Sequence, residues 1–135
     1  MKILIIGASG FIGHKLLQVL SKDFEIYGLL HRSKKYYGDI PLFNDKKIKE
    51  EIDVLNYNRL VEVFDSIQPD IIINCVGITK RKITTNNILE TITINSQLPH
   101  RLAKWTKENN KKLIHLSTDC VFDGKIGNYN EESLT

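Results

Sequence analysis

No apolar run in these 135 residues approaches the length of a bilayer span, there are only two cysteines, and no two histidines stand at ligand spacing. Each absence removes a class of function. A membrane-spanning helix takes about 20 consecutive apolar residues, so no membrane partner is expected. Cys75 and Cys120 lie far apart, each near the end of an apolar run and without a Cys-x-x-Cys pair, which argues for buried thiols and against redox or zinc chemistry. His14, His31, His100 and His115 show no His-x-x-x-His pattern, so no metal site is expected. Met1-Lys2 opens directly into an apolar strand and not into a secretory leader, which makes the cytoplasm the expected compartment. A net charge of +3 is mild. Lys104, Lys107, Lys111 and Lys112 read as the solvated face and exit of a helix, and nucleic acid is not an expected partner. The length suits one domain with a real core.

What is present is concentrated in Met1 to Gly13, MKILIIGASGFIG. Lys2 to Ile6 is an apolar β-type run that leads into Gly7, Gly10 and Gly13, and an apolar-periodic segment follows from Phe11. Gly7 permits a turn closed to a Cβ, Gly10 lets the backbone approach a phosphate, and Gly13 lets the helix lie close against its strand. The amides of Ser9, Gly10, Phe11 and Ile12 then face outward with the positive end of the helix dipole behind them, a site for a dinucleotide pyrophosphate.

The rest of the chain alternates strand and helix. The first helix covers about Phe11 to Ser21 and buries Ile12, Leu16, Leu17 and Leu20. Strand two is about Glu25 to Leu30. At its far end an Asp or Glu would accept from both ribose hydroxyls of NAD, but the sequence places His31, Arg32, Ser33, Lys34 and Lys35 there, with no acid before Asp39. Arg32 and the missing acid favour NADP(H) over NAD(H); the competing reading is a loop with exposed cations. Gly38 to Lys47 reads as irregular, and Ile48 to Ile52 as strand three. Asn56 caps a helix from Tyr57 to Ile67. Pro69-Asp70 opens strand four, Ile71 to Val76, a β-branched run suited to burial on both faces of a parallel sheet. A helical pattern from about Asn87 to Asn109 contains Pro99, which marks a bend or the start of a second piece. Strand five is Leu113 to Leu116. Five strands alternating with helices through right-handed crossovers predict an α/β, Rossmann-like doubly wound parallel sheet in the order 3-2-1-4-5.

The Gly-x-x-Gly-x-x-Gly spacing resembles the short-chain dehydrogenase/reductase superfamily, and GASGFIG is most similar to its extended, nucleotide-sugar-modifying branch. By that resemblance Asp53-Val54 contacts the adenine amino group, although Asp53 alone could equally be a turn residue. Cys75, Val76 and Gly77 match the family's cofactor-lining wall, and Asn95 matches an Asn that kinks the central helix or holds a water. Ser117-Thr118-Asp119-Cys120-Val121-Phe122-Asp123-Gly124 and the Gly127 to Glu131 loop resemble dTDP-4-dehydrorhamnose reductases. That likeness makes Thr118 the catalytic hydroxyl, a small nucleotide sugar the substrate, and 4-keto sugar reduction the activity. Cys120, where dehydratases of the branch carry Glu, disfavours a 4,6-dehydratase.

The superfamily's general acid is a Tyr with a Lys four residues on. No Tyr-x-x-x-Lys occurs in this sequence. The resemblance implies that this pair, further strands and a substrate lobe follow Thr135, so the chain is expected to be the N-terminal part of such an enzyme and to be inactive alone. It is also expected to self-associate through an open sheet edge at Leu113 to Ser117. An epimerase of the same superfamily, or a non-catalytic dinucleotide-sensing or scaffold domain, remains as an alternative.

Overall fold

The computed structural model describes residues 1–79 and 87–133. Its strands are β1 (Lys2–Ile6), β2 (Glu25–Leu29), β3 (Ile48–Lys49), β4 (Ile71–Asn74) and β5 (Lys112–His115). All pair in parallel in one sheet, in the order β3-β2-β1-β4-β5, as the alternating pattern predicts. The helices are α1 (Phe11–Leu20), α2 (Tyr57–Ile67), α3 (Ile88–Ile92) and α4 (Leu98–Glu108).

β1 is buried from Ile3 to Ile6 because it has a strand on either side and a layer on either face. The period of two in a strand divides its side chains between two cores. Leu4 and Ile6 pack with Leu29 and Ile72, under Leu60, Val63 and Phe64 of α2 and Leu98, Leu102 and Trp105 of α4. The Phe64 and Trp105 rings, 4.9 Å apart, join those two helices. Ile3 and Ile5 face the other way, onto Leu17 of α1 and onto Ile26, Phe43, Ile48 and Ile73. Among the described residues no helix is long and apolar enough to cross a membrane.

Several local expectations shift. Ile12 is 52% exposed and not part of the buried stripe of α1, where Gly13 and Leu17 are the buried residues. Close seating at Gly13 rotates Ile12 toward solvent. β3 is shorter than the apolar run because Glu51 takes φ 59°, a left-handed turn that interrupts pairing, although the Ile52 N–H still donates to the Leu30 carbonyl at 3.0 Å. β4 ends at Asn74, whose side-chain oxygen accepts the Val76 N–H at 3.2 Å and turns the chain. Within the segment expected to be irregular, Pro41–Asn44 forms a 3-10 turn that buries Phe43.

Pro99 breaks nothing. It lacks an N–H and its ring crowds the carbonyl four residues back, that of Asn95. The chain accommodates it with a wide π turn over Thr93–Gln97, in which the Leu98 N–H reaches back five residues to the Thr93 carbonyl. α3, this turn and α4 run on as successive helical pieces.

α2 begins and ends as its sequence directs. The Asn56 side chain accepts from the Arg59 N–H at 3.1 Å, and Gln68 closes the helix in a left-handed conformation just before Pro69.

Candidate functional site

Parallel strands bring their carboxyl ends to one edge, where this sheet opens into a cleft of about 450 Å³. Gly7, Ser9 and Gly10 line it from the turn after β1, Asp53 and Val54 from the segment beyond β3, and Cys75, Val76 and Gly77 from the segment after β4. The structure thus brings these positions, far apart in sequence, together along one cleft.

The glycine turn is sterically determined. Gly7 has φ +82°, and a Cβ there would lie 2.8 Å from the Val76 Cγ2. A Cβ on Gly13 would lie 2.2 Å from the Gly7 carbonyl oxygen, so no other residue allows α1 this approach. The Gly10 N–H donates to the Gly7 carbonyl at 3.0 Å. No side chain caps α1, and its first turn carries no acid. What Phe11, Ile12 and Gly13 offer is therefore the backbone N–H array of a helix start, the ordinary cradle of a phosphate. Phe11 and Ile12 turn their side chains to solvent, Phe11 being 95% exposed, and none of the three residues lines the cleft. A tight glycine turn, an uncapped ten-residue helix and a cleft in front of them together fit a dinucleotide.

Asp53 serves as a turn residue, its Oδ1 accepting the Leu55 N–H at 2.9 Å, and stands in the cleft wall as well. The Cys75 thiol is pushed up to about 11 by burial, so it remains a thiol at neutral pH and is no nucleophile. Asn74 is fully buried. Because its oxygen is taken by Val76, its Nδ2 is the atom 3.1 Å from His115 Nδ1, which must accept; this links the ends of β4 and β5. Asn95 grips the chain after β4, its Oδ1 accepting the Ile78 N–H and its Nδ2 donating to the Ile78 carbonyl, each at 2.8 Å.

Two further predicted residues, Arg32 and Thr118, also lie outside the cleft lining. The Arg32 guanidinium sits over the Tyr36 ring, 4.2 Å from its centroid. Thr118 follows β5 in an exposed segment, where its Oγ1 accepts the Cys120 N–H at 3.1 Å. Nearby, Tyr129 stacks on Phe122 with ring centroids 4.5 Å apart. Its hydroxyl donates to Asp123 Oδ1 at 2.6 Å, a bond that holds the Asp123 carboxyl below its usual range.

The cleft also includes His31, named from the sequence as part of the segment after strand two but given no role there, together with residues not singled out at all: Leu55 beyond Val54, and Glu90 and Ile94 from the helical segment. Strand alternation could have identified His31, which shares its parity with Leu29. Nothing in the pattern around Glu90 marks it.

Known proteins resemble the chain along nearly its whole length. It is 28% identical over 129 residues to a probable low-salt glycan biosynthesis reductase of Haloferax volcanii, covering 95% of this chain and 40% of that protein. It is 27% identical to a dTDP-4-dehydrorhamnose reductase of Aggregatibacter actinomycetemcomitans, with 98% and 40% covered. The chain thus spans about two fifths of the length of these relatives. Among solved structures, a hypothetical dTDP-4-dehydrorhamnose reductase from Sulfolobus tokodaii superposes with a TM-score of 0.79 at 29% identity, over 99% of this chain and 45% of that one. A dTDP-4-dehydrorhamnose reductase from Bacillus anthracis in complex with NADP gives 0.68 at 26%, over 92% and 38%. A family model described as the RmlD substrate binding domain matches residues 1–135 in full, and the chain belongs to that family.

Proposed function

We propose that these 135 residues form the dinucleotide-binding part of an NADPH-dependent nucleotide-sugar reductase of the dTDP-4-dehydrorhamnose reductase type, acting on a 4-keto sugar. The observation that carries this reading is the cradle itself: Gly7 and Gly13 admit no side chain, and α1 starts uncapped in front of a cleft walled by all three predicted segments. The NADP complex of the Bacillus anthracis reductase supports the choice of nucleotide.

In this assignment the first turn of α1 holds the pyrophosphate, and Gly10 leaves room for it. Asp53 accepts from the adenine amino group while its turn bond to Leu55 keeps the carboxylate in place. Cys75, Val76 and Gly77 wall the nicotinamide end, and the Asn95 grip on Ile78 fixes the chain just beyond them. Hydride transfer to a carbonyl is the chemistry such a cofactor supplies when bound. Thr118, by its resemblance to the reductase segment, hydrogen-bonds the sugar carbonyl oxygen.

Fluorescence titration of the chain with NADPH and with NADH tests the reading. Binding of both, with NADPH tighter by about tenfold, is the expected result, since one charge-assisted contact to the 2′-phosphate contributes on the order of 1.5–3 kcal/mol. Binding of neither overturns it.

A further inference from the structure

We infer that His31, and not Arg32, is the residue that reads the 2′ position of the adenosine ribose, an inference that rests on the dinucleotide reading above. Three independent features of the chain after β2 lead there.

The first is strand parity. Leu29 packs in the core under α2 and α4, whereas Leu30 packs in the opposite core. Pairing continues past the end of β2, because the Leu30 N–H donates to the Lys49 carbonyl at 2.9 Å and the Leu30 carbonyl accepts from Ile52 at 3.0 Å. The chain bends at His31 and Arg32, just past this paired stretch, with His31 on the side of Leu29 and Arg32 not among the residues that line the cleft. The cleft is on the Leu29 side, and both Leu29 and His31 line it.

The second is that the following segment is anchored away from the cleft. The Arg32 N–H donates to the Tyr37 hydroxyl at 3.3 Å, and the Tyr37 ring packs edge-on against buried Phe43 at 5.6 Å. The Lys34 N–H is held by the Glu50 carboxylate. With its backbone tied in this way, the Arg32 guanidinium rests on the Tyr36 ring. Reaching the cleft would cost it that cation–π contact.

The third is the chemistry at the position. An acid at the end of the second strand would accept from both ribose hydroxyls and repel a 2′-phosphate. An imidazole N–H instead donates to a phosphate oxygen, and as imidazolium it adds charge to that contact. His31 is exposed at the cleft mouth, where a polar ligand group can reach it without desolvating a core.

The experiment titrates the 135-residue chain and its His31→Ala, His31→Asp and Arg32→Ala variants with NADPH and NADH. Adenosine 2′,5′-bisphosphate against adenosine 5′-phosphate isolates the 2′ contact. Circular dichroism verifies each fold, and His31 being exposed, the variants should retain it. His31→Ala is expected to lower the NADPH:NADH affinity ratio about tenfold with NADH affinity little changed, and His31→Asp to invert the preference. Arg32→Ala should change the ratio less than His31→Ala does. If Arg32→Ala abolishes the preference while His31→Ala leaves it, the assignment to His31 is overturned and the dinucleotide reading stands. If wild type binds neither nucleotide, both are overturned together.

Discussion

Asn95 holds the entire peptide unit of Ile78, accepting its N–H and donating to its carbonyl at 2.8 Å each, so that a side chain in a π turn stands in for a neighbouring strand. Wide helical turns of this kind recur at functional sites. Here the turn both accommodates Pro99 and fixes the chain after β4. Asn95→Ala removes both bonds, about 0.5–1.5 kcal/mol each, and should lower dinucleotide affinity by about fivefold to a hundredfold. Amide exchange at Ile78, measured by NMR, should accelerate in the same variant while the exchange of β1 amides does not.

Gly13→Ala places a Cβ 2.2 Å from the Gly7 oxygen, where backbone on both sides must move. The expected cost is about 1–3 kcal/mol of stability. Because the shift falls on the phosphate cradle, nucleotide binding should be lost even at temperatures where the variant stays folded. Chemical denaturation and titration, run on one preparation, separate the two effects.

Asp70 ties the amino ends of the central strands. Its Oδ2 accepts the Lys2 N–H at 2.8 Å, its Oδ1 pairs with Lys111, and its own N–H donates to the Lys2 carbonyl. The Lys2 bond, with Lys111 assisting, holds the carboxyl below its usual value. A depressed folded-state value means stabilisation that is present above the unfolded-state pKa, about 4, and is lost as pH falls through the folded-state value. Asp70→Asn should therefore lower Tm at pH 7, and the gap to wild type should close as both are measured toward pH 3.

β5 is the outer strand of the described sheet beyond β4, and Ile114 within it and Leu116 just after it are 48% and 37% exposed. An unpaired edge with apolar neighbours invites pairing with another chain. Sedimentation velocity should reveal concentration-dependent association that Ile114→Lys weakens. A wild-type chain that stays monomeric at high micromolar concentration would refute this.

Carbonyl reduction needs a proton donor at the oxygen, and the sequence offers no Tyr-x-x-x-Lys. Tyr129 is a poor substitute, because its hydroxyl proton is committed to Asp123. The 135 residues alone are expected to oxidise NADPH with a dTDP-4-keto sugar at a rate at least 10²-fold to 10⁴-fold below a complete reductase, the typical span of general acid catalysis. Near-normal turnover in a spectrophotometric assay would show that the proton comes from a group not considered.

The glycine turn and the strand order were legible because both rest on local rules: glycine where a Cβ cannot fit, and apolar runs alternating with amphipathic ones. The α2 cap at Asn56 was legible for the same reason. Phe43 was not, since a buried aromatic within a polar segment leaves no periodicity to read. Ile12 misled because helical spacing alone cannot tell which apolar residue faces the sheet; the close approach at Gly13 decides that. For the site, Asp53, Cys75, Val76 and Gly77 were singled out by the family resemblance, and the strand order brings them to one cleft, whereas the separate fates of His31 and Arg32 depend on Tyr36 and Tyr37, which tie down the backbone and the guanidinium after β2.

The placing of β1 at the centre of the sheet has a consequence for how the chain comes into being. Ile3 pairs with Ile26 on one side and with Ile71 on the other, so the first of the five strands to be synthesised gains its second neighbour only when β4 emerges. At roughly 5–20 residues per second, several seconds pass between the synthesis of β1 and that of β4. Throughout that interval the most apolar segment of the protein has at most one neighbour, and non-local parallel pairing is slow to form. The nascent chain should therefore be a client of ribosome-associated chaperones until β4, Ile71–Asn74, has emerged.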